Sequence, residues 1–251
     1  MNSKERFSSR VDAYAKYRPS YPSEAIDYLY EAVGLGERSE IADVGAGTGI
    51  FSRLLLERGS RVTAVEPNEA MRRAAVEASE GNPKFRAVSG SAEDTGLPDR
   101  SQDFIVCAQA FHWFDREASR VEFRRVLKPG GQAVLVWNTR LTTGTPFLEG
   151  YERLLHELGT DYGQVNHRNV SRDMLASFFR EGEMKEARFV NRQVFDFDGL
   201  AGRLLSSSYA PQPGHPRYEP MMSSLRELFD RCENGGTVDF DYETEIYWGE
   251  V

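Results

Sequence analysis

Short apolar runs alternate along this chain with stretches in which apolar residues recur every three or four positions. The runs at 41–44, 61–66, 85–89 and 101–107 are short and mostly β-branched or aromatic, which reads as strands. Between the first two, Ile50, Phe51, Leu54 and Leu55 share one helix face, and Gly59 stands where that helix would end. Asn68 is placed to cap a second helix. A third is expected over 116–127, stopped by Lys128-Pro129-Gly130-Gly131, with a fifth strand at 132–138. Strand and helix alternating through short links predict a mostly parallel α/β sheet with right-handed crossovers.

The flanking segments follow other patterns. Phe7, Val11 and Tyr14 are spaced for one helix face, and Arg18-Pro19 marks its end because proline disfavours the α region in the residue before it. Ala25, Ile26, Leu29, Tyr30 and Val33 predict a second amphipathic helix. Beyond the fifth strand, helices are expected over 147–158, from Ser171, over about 200–209 and over about 219–232. Alternating strands are expected at 187–197 and 238–248.

A chain of 251 residues with 40% hydrophobic content suits one well-cored domain. Its expected parts are a helical arm (1–37), a core (38–140) and a C-terminal portion (141–251) with helices inserted between strands. The two cysteines, Cys107 and Cys232, are far apart in sequence, so neither a disulfide framework nor a metal site is expected, and a reducing cytoplasm is the expected location. No apolar leader or membrane-length run is visible. A net charge of −8 disfavours a nucleic-acid partner. Arg120, Arg124, Arg125 and Lys128 share their helix with Glu117 and Glu122 and read as a solvated face.

The candidate chemistry starts at Asp43-Val44-Gly45-Ala46-Gly47-Thr48-Gly49, a glycine-rich turn between strand and helix. Such turns lie at the carboxyl edge of the sheet, where open α/β sheets bind ligands. A dinucleotide loop would need glycine or alanine at position 50, which is Ile50, and the Gly-Lys-Ser/Thr ending of a phosphate loop is absent. Glu66 ends the next strand about twenty residues on, the separation expected of a ribose-binding carboxylate. An acid, one residue, then Gly-x-Gly-x-Gly resembles motif I of the class I S-adenosylmethionine-dependent methyltransferases. That resemblance implies a Rossmann-like sheet with one antiparallel strand and S-adenosylmethionine as cofactor. It places Asp43, Gly45, Ala46, Gly47, Glu66, Asn68, Met71, Ser91, Ala92, Glu93 and Gln109 around the cofactor. Ser91 stands where the family often has Asp, so the partner of the adenine amino group stays open. Arg18 is the candidate for the methionyl carboxylate, since a guanidinium can fork onto it.

The runs Tyr17-Arg18-Pro19-Ser20-Tyr21-Pro22 and Ala110-Phe111-His112-Trp113-Phe114 resemble a small-molecule subgroup that includes the trans-aconitate methyltransferases. The expected reaction is methyl transfer to a small, anionic acceptor, with a carboxylate oxygen as candidate. The alternatives are N- or C-methylation of another metabolite, or a non-catalytic S-adenosylmethionine-binding protein. Tyr17, Tyr21, His112, Trp113, Trp137 and Asn138 are the candidate acceptor residues, and His112 the candidate catalytic one.

Overall fold

In the computed structural model, which describes residues 17–162 and 170–251, seven strands form one sheet. These are β1 (Glu40–Val44), β2 (Arg61–Val65), β3 (Phe85–Val88), β4 (Gln102–Ala108), β5 (Leu127–Arg140), β6 (Lys185–Phe195) and β7 (Val238–Gly249). Their order is β3-β2-β1-β4-β5-β7-β6, with only β7 antiparallel to its neighbours. The first five strands therefore run parallel, and their carboxyl ends share one edge.

The helices are α1 (Ser23–Tyr28), α2 (Ile50–Glu57), α3 (Glu69–Ala78), α4 (Arg116–Val126), α5 (Pro146–Leu158), α6 (Arg172–Phe178), α7 (Phe197–Leu205) and α8 (Tyr218–Cys232). Side-chain caps start five of them: Asn68, Asp115, Thr145, Ser171 and Asp196 each accept from a backbone amide of the first turn. Strands β1 and β2 are buried at every position but the first because helices cover both faces. One core lies on each side of the sheet, around Phe111 and Phe123 on one face and Leu29 and Leu55 on the other. A third packs α5, α7 and α8 against β7, with Tyr151, Leu225 and Phe240 at its centre.

Some elements differ from expectation. The expected stop at 128–131 instead belongs to β5, because Leu127 already pairs with Gln102 and the register then slips before Phe104. The helix after Pro22 is α-helical only to Tyr28 and then widens into a π turn over Leu29–Val33, ended by the left-handed Gly34. Asp196 caps α7, so that helix starts earlier than its apolar pattern suggested. The helix expected from Phe7, Val11 and Tyr14 lies outside the described residues. Helices α7 and α8 fall between β6 and β7, and α7, the loop at 208–209 and the segment around Arg18 and Tyr21 roof the carboxyl edge. No helix among the described residues is long and apolar enough to cross a membrane.

Candidate cofactor and acceptor site

Beneath that roof lies a cavity of about 260 Å³. Its floor starts at the glycine turn, where the three glycines have φ values of +74°, +58° and +77°. All three use the left-handed region that side chains disfavour, yet they serve different neighbours. A Cβ on Gly45 would lie 2.6 Å from the Ala110 Cβ, and one on Gly49 would lie 3.1 Å from the Ala75 Cβ. Gly49 therefore lets the turn pack on α3, and Gly45, which also lines the cavity, lets it pack on Ala110. A Cβ on Gly47 would meet only the Met71 sulfur, at 3.9 Å, and the residue lines the cavity. Gly47 is the member of the motif whose missing side chain leaves room for a ligand.

Glu66 follows β2 and is held from two sides. Its Oε2 accepts from the Gly47 amide at 2.9 Å and its Oε1 from the Asn68 amide at 2.8 Å. Each carboxylate oxygen keeps acceptor capacity beyond these bonds, and the side chain lines the cavity. Burial raises its pKa, against the lowering effect of the two amides and Arg72. Asp43 sits behind the turn, fully buried and outside the cavity wall. Its Oδ2 accepts from the Ser52 hydroxyl at 2.6 Å, tying the end of β1 to α2. Burial pushes its pKa up to about 7, opposed by Ser52 and reinforced by Glu66. Asp43 therefore braces the turn from beneath and is not among the residues that line the cavity.

Ala46, Asn68, Met71, Ser91, Ala92 and Glu93 all reach the cavity. Asn68 also caps α3, and Glu93 accepts from the Asp115 amide at 2.9 Å, linking the β3 turn to the start of α4. Gln109 leaves β4 at φ +57°, an unusual backbone for a non-glycine residue. It is held by its own amide on the Val136 carbonyl and by its side chain on the Asn138 carbonyl.

The acceptor candidates divide. Tyr21, His112, Trp113 and Asn138 line the cavity, whereas Tyr17 and Trp137 do not. The Tyr17 ring lies against α7, where a Cβ on Gly202 would meet it at 2.4 Å. Trp137 is buried and turns its Nε1 toward His112 Nδ1 at 3.5 Å. With Nδ1 accepting, the neutral imidazole carries its proton on Nε2. Asn138 is a crosslink as well as a wall. Its Nδ2 donates to the Ser20 carbonyl, and its Oδ1 accepts from Thr244 and Asn191.

Sequence reasoning missed the far end of the cavity. Arg18 reaches this end and donates to the Ser206 carbonyl at 3.3 Å. There Arg140, Tyr162, Arg203, Tyr209 and Tyr242 form the wall. Arg140 ion-pairs with Glu152 and donates to the Tyr162 hydroxyl. Burial opposes ionisation of Tyr209, but Arg203, Arg18, Ser207 and Arg140 outweigh it and lower its pKa. One signal was present in the chain: Leu200, Arg203 and Leu204 share a helix stripe, placing an arginine where apolar residues are expected.

Residues 42–135 match a family described as a methyltransferase domain. An uncharacterized methyltransferase of Mycobacterium tuberculosis is 45% identical over 137 residues, 53% of this chain and 52% of that one, so the match spans about half of that relative's length. An uncharacterized methyltransferase of Geobacillus sp. is 31% identical over 184 residues, 70% of this chain and 84% of that one. A solved structure from Anaeromyxobacter dehalogenans, provisionally named a type II methyltransferase, aligns with a TM-score of 0.71 at 26% identity. That alignment covers 93% of this chain and 98% of the other. The chain belongs to the methyltransferase family, in its class I fold, and the family cofactor is S-adenosylmethionine. The open space at Gly47 and the acceptor capacity of Glu66 fit that cofactor.

Proposed function

We propose that this chain methylates a small, anionic acceptor from S-adenosylmethionine, with a carboxylate oxygen as the accepting atom. The observation that carries the reading is Glu66, which is oriented by two backbone amides and still able to accept from ligand hydroxyls at the cavity wall. Ser91, Ala92 and Met71 would flank the adenine, and Arg18 would face the methionyl carboxylate. The bound cofactor supplies an electrophilic methyl group. The chain's own work is to orient the nucleophile and exclude water. His112 lines the cavity and would orient an acceptor oxygen. An ionised carboxylate needs no base.

We read the N-terminal arm (1–37) and the helices inserted between β6 and β7 as the cap of a single methyltransferase domain working in the cytoplasm. The finer likeness to the trans-aconitate subgroup rests on the two aromatic runs. N- or C-methylation, or cofactor binding without catalysis, are the competing readings. Incubation with S-adenosylmethionine and a panel of small carboxylic acids and amines, read as S-adenosylhomocysteine release, tests them together. Release with acids and not with amines is the expected result. Cofactor binding without release for any member would favour the binding-protein reading.

A further inference from the structure

Arg203 is the charged group that the cofactor reading leaves unexplained. It is only 5% exposed, yet it forms part of the cavity wall. Its Nε donates to the Tyr242 hydroxyl at 3.0 Å and its Nη1 to the Ser207 hydroxyl at 2.9 Å. Its Nη2 has no hydrogen-bond partner among the described residues, and no carboxylate there forms an ion pair with it. An arginine stays protonated in such surroundings. A buried guanidinium facing neutral phenols, hydroxyls and the Phe240 ring is costly unless an anion completes it. Neighbouring Arg140, register partner of Tyr242 across β5 and β7, already has Glu152. Among the described residues Arg203 has no such counterion.

Position assigns the missing anion. Glu66 leaves β2, and Tyr242 stands on β7, four strands away across β1, β4 and β5. At the usual strand spacing that separation is about 19 Å. His112 and Gln109 follow β4, midway between, where methyl transfer is expected. We propose that Arg203, with Tyr209 and Tyr242, forms an oxyanion subsite for an acid group of the acceptor other than the one methylated. This inference rests on the methyltransferase reading and narrows its substrates. The acceptor carries a carboxylate or phosphate at one end, bound by the guanidinium, and the methyl-accepting atom at the other. A fork of parallel N–H donors suits either oxyanion.

The test uses the full chain saturated with S-adenosylhomocysteine, with malonate and inorganic phosphate as separate probes in calorimetric titrations. Wild type is expected to bind at least one of them, and which one distinguishes a carboxylate from a phosphate subsite. Arg203→Gln should weaken that binding by about tenfold or more, the loss expected for a charged hydrogen bond. Its affinity for S-adenosylhomocysteine should stay unchanged. Arg203→Lys keeps the charge and loses the fork, so it should fall between the two, and it serves if the glutamine variant does not fold. Failure of both anions to bind the saturated wild type would overturn the subsite, as would equal binding by the variants. A loss of S-adenosylhomocysteine affinity in Arg203→Lys would instead give the arginine to the cofactor. If wild type did not bind S-adenosylhomocysteine at all, the methyltransferase reading itself would fail, a separate outcome.

Discussion

Replacing Glu66 by alanine strikes the cofactor cradle at its best-defined point. The carboxylate has about four acceptor positions. The Gly47 and Asn68 amides, at 2.9 and 2.8 Å, occupy one on each oxygen and leave the others toward the cavity. A hydrogen bond to a charged group contributes about 1.5–3 kcal/mol, so two to a bound ribose set a ceiling of roughly 3–6 kcal/mol. Water entering the truncated site returns part of this. Binding of S-adenosylhomocysteine should therefore weaken between about tenfold and about a thousandfold. Glu66→Gln is nearly isosteric, but its amide group must face one of the two backbone donors, so it should fall between wild type and alanine. Isothermal calorimetry at neutral pH measures both, with thermal unfolding of the ligand-free variants as the check on folding. Burial raises the Glu66 pKa and the ribose requires the charged acceptor, so wild-type affinity should fall on acidification before an ordinary glutamate would protonate. Unchanged affinity in a folded Glu66→Ala protein would refute the placement of the cofactor.

Other substitutions separate structural from ligand-facing roles. Gly45→Ala should lower the melting temperature clearly, because its Cβ meets Ala110, whereas Gly47→Ala should cost only about 1–2 kcal/mol of backbone strain while weakening cofactor binding. Asp43 holds its proton more tightly folded than unfolded, so its stability contribution is full below its ordinary value of 3.8 and is lost as pH rises toward about 7. Within that window wild type should lose up to about 1.4 kcal/mol per pH unit relative to Asp43→Asn in denaturant titrations, and parallel curves would exclude the shift. Arg18→Ala should raise the cofactor dissociation constant; an unchanged constant would return Arg18 to a structural role on Ser206. With a carboxylate acceptor, His112→Ala should reduce turnover only modestly, and a loss of about a hundredfold would point to a protonated nucleophile that needs a base.

The cofactor half was legible because its signals are local. The Gly-rich turn, the acid ending β2 and the Asn68 cap each lie within a few residues of the strand they terminate. The roles inside that turn were not legible, since what lies beside Gly45 and Gly49 comes from Ala110 and Ala75, distant in sequence. Tyr17 and Trp137 looked like site residues by position, but packing against Gly202 and the core claims them. The acceptor end was hidden for a related reason. Arg140, Arg203 and Tyr242 belong to three elements and meet only after β7 inserts between β5 and β6. The helix boundary at Leu127 was lost to a strand pairing that no local pattern announces.

The order of the strands also divides the chain's labour along its length. Every residue proposed for the cofactor, apart from Arg18, comes from the five parallel strands, their turns and the first turn of α3, while Arg203 and its phenols come from the segment that closes the sheet in the opposite sense. The two sets are joined along the β5–β7 ladder and through Asn138, whose side chain joins Ser20, Asn191 and Thr244 while its carbonyl receives Gln109. A lineage could therefore exchange one acid substrate for another by rewriting residues between β6 and β7, leaving the nucleoside cradle intact. Changes at Asn138 would be filtered more severely, because its side chain bonds at once to the segment before α1 and to both closing strands, while its carbonyl holds Gln109.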